Sequence, residues 1–387
     1  MKHVLSTAII TAAIFLTAGC EQFSTTYQRI DASEFRLLDF IYEPADIAPG
    51  DTLTLTAVFA GNRNFDLDSI EWWISFNVIR DLLFGTETVL DSTRLEPVAR
   101  RVDTVFSQNT RAVSFRIPVD KDIMRESRQI PERWTDMLPA SVAMLIPPEF
   151  TSMTKYQVID TLESFLENPA GVTGGNLSIE SIDYLPRLLQ FFTVPICVTA
   201  RIPGESGKPG RLPHAIRSSH RVRYNSRLDA AGIEGIPVNY NPVIKKVLLF
   251  KVMENVTNID DKDGLEYLQE IVLDNSGNSV IEVEKGYSYF LDALTDNLDY
   301  TLSMDGNRIR EQHYIYRQFQ LDSEETNGIH HSRFMSFDEG GGKITFPSDE
   351  RITKFTFWVT VKDEVMNELM RPEGSALAEV SGRFVYK

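Results

Sequence analysis

Apolar residues recur at every second position in a series of short runs, and turns rich in glycine, proline, asparagine and aspartate separate those runs. That alternation is the mark of half-buried β-strands. Thr52 to Phe59, T-L-T-L-T-A-V-F, places Leu53, Leu55, Ala57 and Phe59 on one face and the threonines on the other. Applied along the chain, the same pattern predicts strands at Phe35 to Tyr42, Thr52 to Phe59, Ile70 to Phe76, Arg111 to Pro118, Phe191 to Ile202 and Ala215 to Tyr224. The second half predicts Val243 to Val252, Tyr287 to Leu294, His313 to Leu321, Lys343 to Phe346, Lys354 to Val361 and Leu377 to Tyr386. The period changes between the fourth and fifth strands. Lys155 to Leu166 sets Val158, Leu162 and Phe165 at helical spacing, with Asn168-Pro169 as the stop, and Ser178 to Leu189 reads as a second short helix.

The two sets of strands have the same order of parts. Each opens with a strand, continues with an alternating one, and then has a strand with paired aromatics: Trp72 and Trp73, then Tyr314 and Tyr316. A short strand follows (R-A-V-S-F-R-I-P or G-K-I-T-F-P), then a long apolar strand, a polar turn and a last strand. Duplication of one β-unit is the simplest source of such an order. The entry P-G-D-T-L-T-L-T-A at Pro49 to Ala57, and F-W-V-T-V-K-D at Phe357 to Asp363, resemble the second and penultimate strands of immunoglobulin-like and polycystic-kidney-disease-type modules. The resemblance implies a mainly β chain of two immunoglobulin-like β-sandwiches, the first with a helical insertion, with Trp72 or Trp73 as the buried tryptophan. The expected layout is a first unit over 33–225 with the insertion at about 120–190, a linker over 226–241 broken by Gly232, Gly235 and Pro237, and a second unit over 242–387. The insertion either caps an open end of the first unit or carries its binding specificity.

The first residues have a different character. Lys2, an uncharged stretch from Val4 to Phe15 and then L-T-A-G-C at Leu16 to Cys20 resemble the signal and lipobox of bacterial lipoproteins. Leu16 stands one place earlier than the branched aliphatic that the family prefers. The resemblance implies cleavage before Cys20, removal of residues 1–19, a diacylglycerol on the Cys20 thiol, and membrane attachment through acyl chains in the cell envelope. The apolar stretch is shorter than the roughly 20 residues a spanning helix needs. Glu21 rather than aspartate after the cysteine favours the outer over the inner membrane, and residues 20–32 read as a tether.

Composition adds partner chemistry. With 39 basic and 55 acidic residues and a net charge of −16, the chain's field opposes nucleic acid and favours cationic partners or divalent ions. Its two cysteines are Cys20 and Cys197. A lipidated Cys20 leaves Cys197 without an intramolecular partner, so the units cohere by packing. Against the acidic background, Arg211, His214, Arg217, His220, Arg221, Arg223 and Arg227 gather in one segment. On a strand Arg217, Ser219, Arg221 and Arg223 share one side. The row is either a docking face for an acidic protein or anionic glycan, or an edge whose charge blocks sheet-to-sheet aggregation.

Catalytic signatures are sparse. Gly204-Glu205-Ser206-Gly207 lacks the spacing of a nucleophile elbow, and Ser152-Met153-Thr154-Lys155 matches S-x-x-K without the companion motifs of penicillin-binding enzymes. His330-His331 are neighbours whose side chains diverge on an extended chain. Asp261, Asp263, Gly264 and Glu270 fall at EF-hand positions, but Ile259 replaces the first ligand. Calcium is therefore the candidate ion with an incomplete ligand set, and an acidic turn the simpler expectation; no other cofactor is expected. The sequence thus predicts a lipid-anchored, non-enzymatic binding or scaffolding protein. Its candidate contacts with an envelope partner are Trp134, Tyr156, Arg217, Arg221 and Arg223. The competing expectations are a carbohydrate-binding accessory or hydrolase that stacks sugar on Trp72 or Trp73, and a surface adhesin.

Overall fold

A computed structural model describes residues 35–61, 66–80, 87–105, 110–137, 144, 146–167, 192–203, 214–232, 238–253, 265–273, 278–296, 300–302, 308–310, 312–323, 332–336, 343–346, 352–364 and 372–387. The lipobox, the tether and the expected helix at Ser178 to Leu189 lie outside the described residues. The chain is mainly β. Its first half contains β1 (Phe35–Glu43), β2 (Thr52–Gly61), β3 (Glu71–Ser75), β4 (Asn77–Arg80), β5 (Glu87–Leu90), β6 (Thr93–Arg94), β7 (Arg100–Val105), β8 (Thr110–Pro118), β9 (Val194–Ile202) and β10 (His214–Val222). Its second half contains β11 (Val243–Val252), β12 (Leu265–Ile271), β13 (Ser279–Val283), β14 (Ser288–Asp296), β15 (Tyr300–Leu302), β16 (Arg308–Arg310), β17 (Gln312–Ser323), β18 (Ser332–Ser336), β19 (Lys343–Thr345), β20 (Ile352–Glu364) and β21 (Pro372–Tyr386). The helices are α1 (Ile123–Glu126), α2 (Pro148–Thr151), α3 (Lys155–Glu167) and α4 (Asn225–Ala230).

The twelve expected strands all form, and their pairing supports the duplicated order. Sheet I runs β1-β2-β8-β7 and sheet II β10-β9-β3-β6; sheet III runs β12-β11-β14-β19 and sheet IV β13-β21-β20-β17-β18. The triplets β1-β2-β8 and β11-β14-β19 correspond, as do β10-β9-β3 and β21-β20-β17. The pattern missed the lateral strands. β6, for example, is two residues long with both side chains exposed, so it has no buried face to announce it.

Sheets I and II enclose the first core. Trp72 lies at its centre with no exposed surface, and the rings of Phe40, Phe59 and Phe115 surround it with centroids 6.4, 6.1 and 5.0 Å away. The described part of the segment between β8 and β9 joins this same core. Ile123 and Met124 of α1, Phe150 of α2 and Val158, Ile159, Leu162 and Phe165 of α3 pack with Val194, Ile196, Tyr224 and Leu228. A reciprocal capping box starts α3: the Thr154 hydroxyl accepts from the Gln157 N–H at 3.4 Å, and the Gln157 side chain accepts from the Thr154 N–H at 2.8 Å. Arg125 then clamps α1 to α3 through Asp160 and Glu163 at 2.5 and 2.7 Å. Those carboxylates raise the pKa of its guanidinium above the ordinary arginine value.

Sheets III and IV enclose the second core, where Val247, Leu249, Tyr289 and Leu291 meet Phe319, Leu321, Phe357, Val359 and Val380. Gly382 is a position of close approach. It pairs with Ser279 where β13 runs parallel to β21, and a Cβ there would overlap the Ser279 carbonyl.

The outer face of sheet I packs on the outer face of sheet IV. Leu38, Val58, Ala60 and Ala112 cluster with Trp358, and Ile41 and Leu377 pack against them. Buried charge frames this patch. Asp39 meets the Lys362 ammonium at 2.9 Å and accepts from the Ser375 hydroxyl. The expected linker is not wholly irregular, because Asn225–Ala230 forms α4 and Leu228 enters the first core. Beyond it, Asn239 donates its N–H to buried Asp46, and Asn241 joins the halves. Its amide donates to the Tyr42 carbonyl at 2.8 Å and accepts from the Ser375 N–H at 2.9 Å.

Two substitutions test these contacts. Gly382→Ala should lower the unfolding free energy by about 1–3 kcal/mol, the usual cost of overpacking, as read from urea denaturation. Lys362→Met leaves the Asp39 carboxylate buried with one hydroxyl partner. It should weaken the contact between the halves by about 2–3 kcal/mol, a value reduced because the ammonium is partly solvated. Calorimetry should then resolve two transitions where the unaltered chain gives one.

Candidate binding face

The side of sheet II that faces away from the first core carries the clearest concentration of functional chemistry. Cross-strand register builds it row by row. Arg217 on β10 opposes Thr199 on β9, Thr199 opposes Trp73 on β3, and Trp73 opposes Arg94 on β6. The next row is Ala215, Arg201 and Glu71. Because side chains alternate along a strand, all of these project on one side, together with Arg221 two positions beyond Ser219.

The tryptophan pair is thus divided between two jobs. Trp72 fills the core, and Trp73 lies half-buried on the outer face beneath two guanidinium groups. The Arg201 carbon centre is 4.5 Å and that of Arg94 5.6 Å from the Trp73 ring centroid. Each contact is worth about 0.5–1 kcal/mol at an exposed site, and it holds a long side chain in place before any ligand arrives. Arg94 also pairs with Glu71 at 2.6 Å, with both partners about half exposed. Arg217 is exposed and makes no ion pair among the described residues. The face is cationic on a chain of net charge −16, so its local potential attracts what the rest of the molecule repels.

The other expected contact residues are scattered. Trp134 has no exposed surface: its ring packs on Phe192 with centroids 5.3 Å apart, and its Nε1 donates to the Met153 carbonyl at 3.1 Å. It is a core residue, and the expectation of a contact there is corrected. Arg223 is largely buried and pairs with Asp46 at 3.0 Å, which fixes the start of the linker rather than a partner. Tyr156 is 43% exposed on α3, on a different element from the arginine row. Arg217 and Arg221 remain on the face. Sequence reasoning missed Arg94 and Arg201. Arg201 was within reach, since it lies two residues beyond Thr199 on a strand already predicted; Arg94 was not, because β6 leaves no periodic trace.

The remaining motifs resolve differently. In S-x-x-K, the Ser152 hydroxyl donates to the Glu149 carbonyl at 3.1 Å and the Lys155 ammonium to the Ser127 carbonyl at 2.9 Å, so each engages backbone and no bond joins them. Burial pushes the Lys155 pKa down, and the Glu132 carboxylate partly opposes that shift. Ser206, His330, His331, Asp261, Asp263 and Gly264 lie outside the described residues. Glu270 is spent on Lys246 at 2.6 Å. Among the described residues no group of three or more histidine, cysteine, aspartate or glutamate side chains could hold a metal ion. None of their helices is long and apolar enough to cross a membrane.

No protein-family model and no curated protein matches this chain. Among solved structures, the three N-terminal domains of the bacteriophage RB49 highly immunogenic outer capsid protein align with 92% of this chain and 100% of that one, at 9% identity. The TM-score is 0.19, at which neither fold nor function carries over.

Cys197 projects on the same side of β9 two residues before Thr199, in register with Ser75 and Ser219; it is buried and free, and burial raises its thiol pKa above the ordinary value. A raised pKa keeps the unreactive thiol form across neutral pH. At pH 8 the folded protein should resist a thiol reagent that labels it fully in denaturant. The linkage sign follows: this group's stabilising contribution is complete below its unfolded pKa and is lost as pH climbs through the folded one.

Proposed function

We propose that this chain is a lipid-anchored cell-envelope protein that binds or scaffolds an acidic protein partner and performs no catalysis. In this reading the sheet pairs are two immunoglobulin-like sandwiches, the segment between β8 and β9 is a helical insertion closing one end of the first, and Cys20 carries the anchor. The observation that supports partner recognition most directly is the row Arg217, Thr199, Trp73 and Arg94 with Arg201 beside it. Guanidinium groups seated on an indole form a semi-rigid array of forked donors suited to carboxylates. The same seating argues against the sugar-stacking alternative. A pyranose needs an open aromatic face, and Arg201 and Arg94 lie over the ring of Trp73 while Trp72 is in the core.

The test is crosslinking in intact source cells followed by mass spectrometry of what copurifies. The unaltered chain should recover one reproducible acidic envelope protein, and Arg201→Glu with Arg217→Glu should reduce its recovery at least tenfold, about 1.4 kcal/mol. Cys20→Ser should move the chain from the membrane to the soluble fraction. Recovery unchanged by the charge reversals sinks the reading, as does turnover of an envelope polymer by the purified protein.

A further inference from the structure

We propose that a cleft beside the linker binds a small organic ammonium that also carries hydroxyl groups, the chemistry of an unacetylated amino sugar. The site is separate from the cationic face of sheet II and goes beyond the partner reading above.

The cleft has a volume of about 300 Å³. Three stretches of chain wall it: the end of β1 and its connection to β2, the helix α4, and Val238 to Asn241 ahead of β11. Ligand sites favour such junctions, and a space of this size is at the small end of their range, enough for one sugar ring. Its charge is one-sided. Glu43, Asp46, Asp51 and Asp229 line it, and among the described residues no lysine or arginine does. Asp46 is offset by Arg223, and Asp51 accepts from the Ala48 N–H. Glu43 is exposed and accepts from the Asn241 amide at 2.6 Å, which leaves it further lone pairs. Asp229 is exposed, and its carboxylate makes no ion pair among the described residues. The cleft therefore attracts positive charge. Among the described residues no three carboxylates are grouped so as to hold a metal ion, so their spread suits an organic cation.

A second observation specifies the rest of the ligand. Asn239 lines the same cleft and is 3% exposed, and among the described residues neither its side-chain nitrogen nor its side-chain oxygen has a hydrogen-bond partner. Its backbone N–H is committed to Asp46 at 3.1 Å, which fixes the residue in the wall. The Ser226 hydroxyl, also in the lining, is buried and equally unpartnered. Buried polar groups are nearly always paired, so these two call for a partner from outside the chain. A carboxamide sets a donor beside an acceptor, and hydroxyl groups, which both donate and accept, answer each of them. An ammonium alone would leave the Asn239 amide nitrogen without an acceptor. Tyr240, 55% exposed in the same lining, adds an aromatic face for the ring or its charge.

Calorimetric titration of the intact chain tests this, in slightly acid buffer that keeps the amine charged. Glucosamine should bind. N-acetylglucosamine lacks the charge, cadaverine lacks the hydroxyls and ethanolamine lacks the ring, and each should bind about tenfold more weakly or worse. Asn239→Ala should weaken glucosamine binding about tenfold without lowering the melting temperature of the unligated chain, because the side chain it removes has no partner to lose. Asp229→Asn, at an exposed position, should weaken binding about threefold. Bound glucosamine should slow amide hydrogen exchange over Val238 to Asn241. Equal binding of N-acetylglucosamine overturns recognition of charge, and equal binding of cadaverine or ethanolamine overturns recognition of the hydroxylated ring; any of these sinks the proposal. No binding of glucosamine at millimolar concentration leaves a cleft that water satisfies and overturns it as well. Binding that ignores Asn239→Ala puts glucosamine elsewhere, with the same result. None of these outcomes bears on the sheet II reading, whose own test is recovery of the crosslinked partner.

Discussion

Sheet I is buried on both faces where Leu38, Val58, Ala60 and Ala112 lie beneath Trp358, and the arrangement of the whole chain follows from that constraint. A sheet between two cores must be apolar inside and nearly featureless outside, because a second sheet has to approach it about 10 Å away. β2 meets this requirement in its sequence. Thr52, Thr54 and Thr56 occupy the outer positions of its first half, where solvent or the Thr56–Ser114 hydroxyl contact satisfies them. Val58 and Ala60 occupy those of its second half, beneath Trp358. β20 answers from the other side with an unbroken buried run from Phe355 to Val361. Phe355, Phe357, Val359 and Val361 face its own core, and Trp358 reaches across.

The apolar patch between the sheets is small, and polar groups define its register. Asp39, Asp46 and Asn241 each reach from one half, or from the segment between the halves, to a partner on the other side or on the linker. Buried charges seldom add net stability over a well-packed apolar substitute, but they penalise every alternative docking that leaves them unpaired. Two sheets packed by small side chains could slide; two sheets that must also satisfy Asp39 with Lys362 and Ser375 cannot slide without stranding a carboxylate.

Much of this was legible in sequence, and the misses have physical causes. Strands with one buried face alternate, so the long ones were found, and the helix at Lys155 announced itself by its period and its Asn168-Pro169 stop. Edge strands such as β6 bury little and leave no such trace, and β13, although Ile281 and Val283 enter the core, is too short for its alternation to stand out. Trp134 and Arg223 were singled out for chemistry that partner-binding tryptophans and arginines share with buried ones. Sequence gives residue type and spacing; whether Trp134 faces Phe192 or solvent is decided by helices sixty residues from the strand they cover. For Trp72 and Trp73 the sequence established that the two point apart, and the fold decided which one is core.

The same constraint explains where chemistry was free to collect. Sheets I and IV spend part of their outer faces on each other, which leaves the outer faces of sheets II and III and the loops as the larger free surfaces. On sheet II the core below needs Trp72 and sets no demand on Trp73, which can then carry arginines. Those arginines cost little there. An exposed guanidinium keeps its hydration, and the acidic surroundings lower rather than raise its energy. A cationic face on an acidic chain is thus inexpensive to maintain.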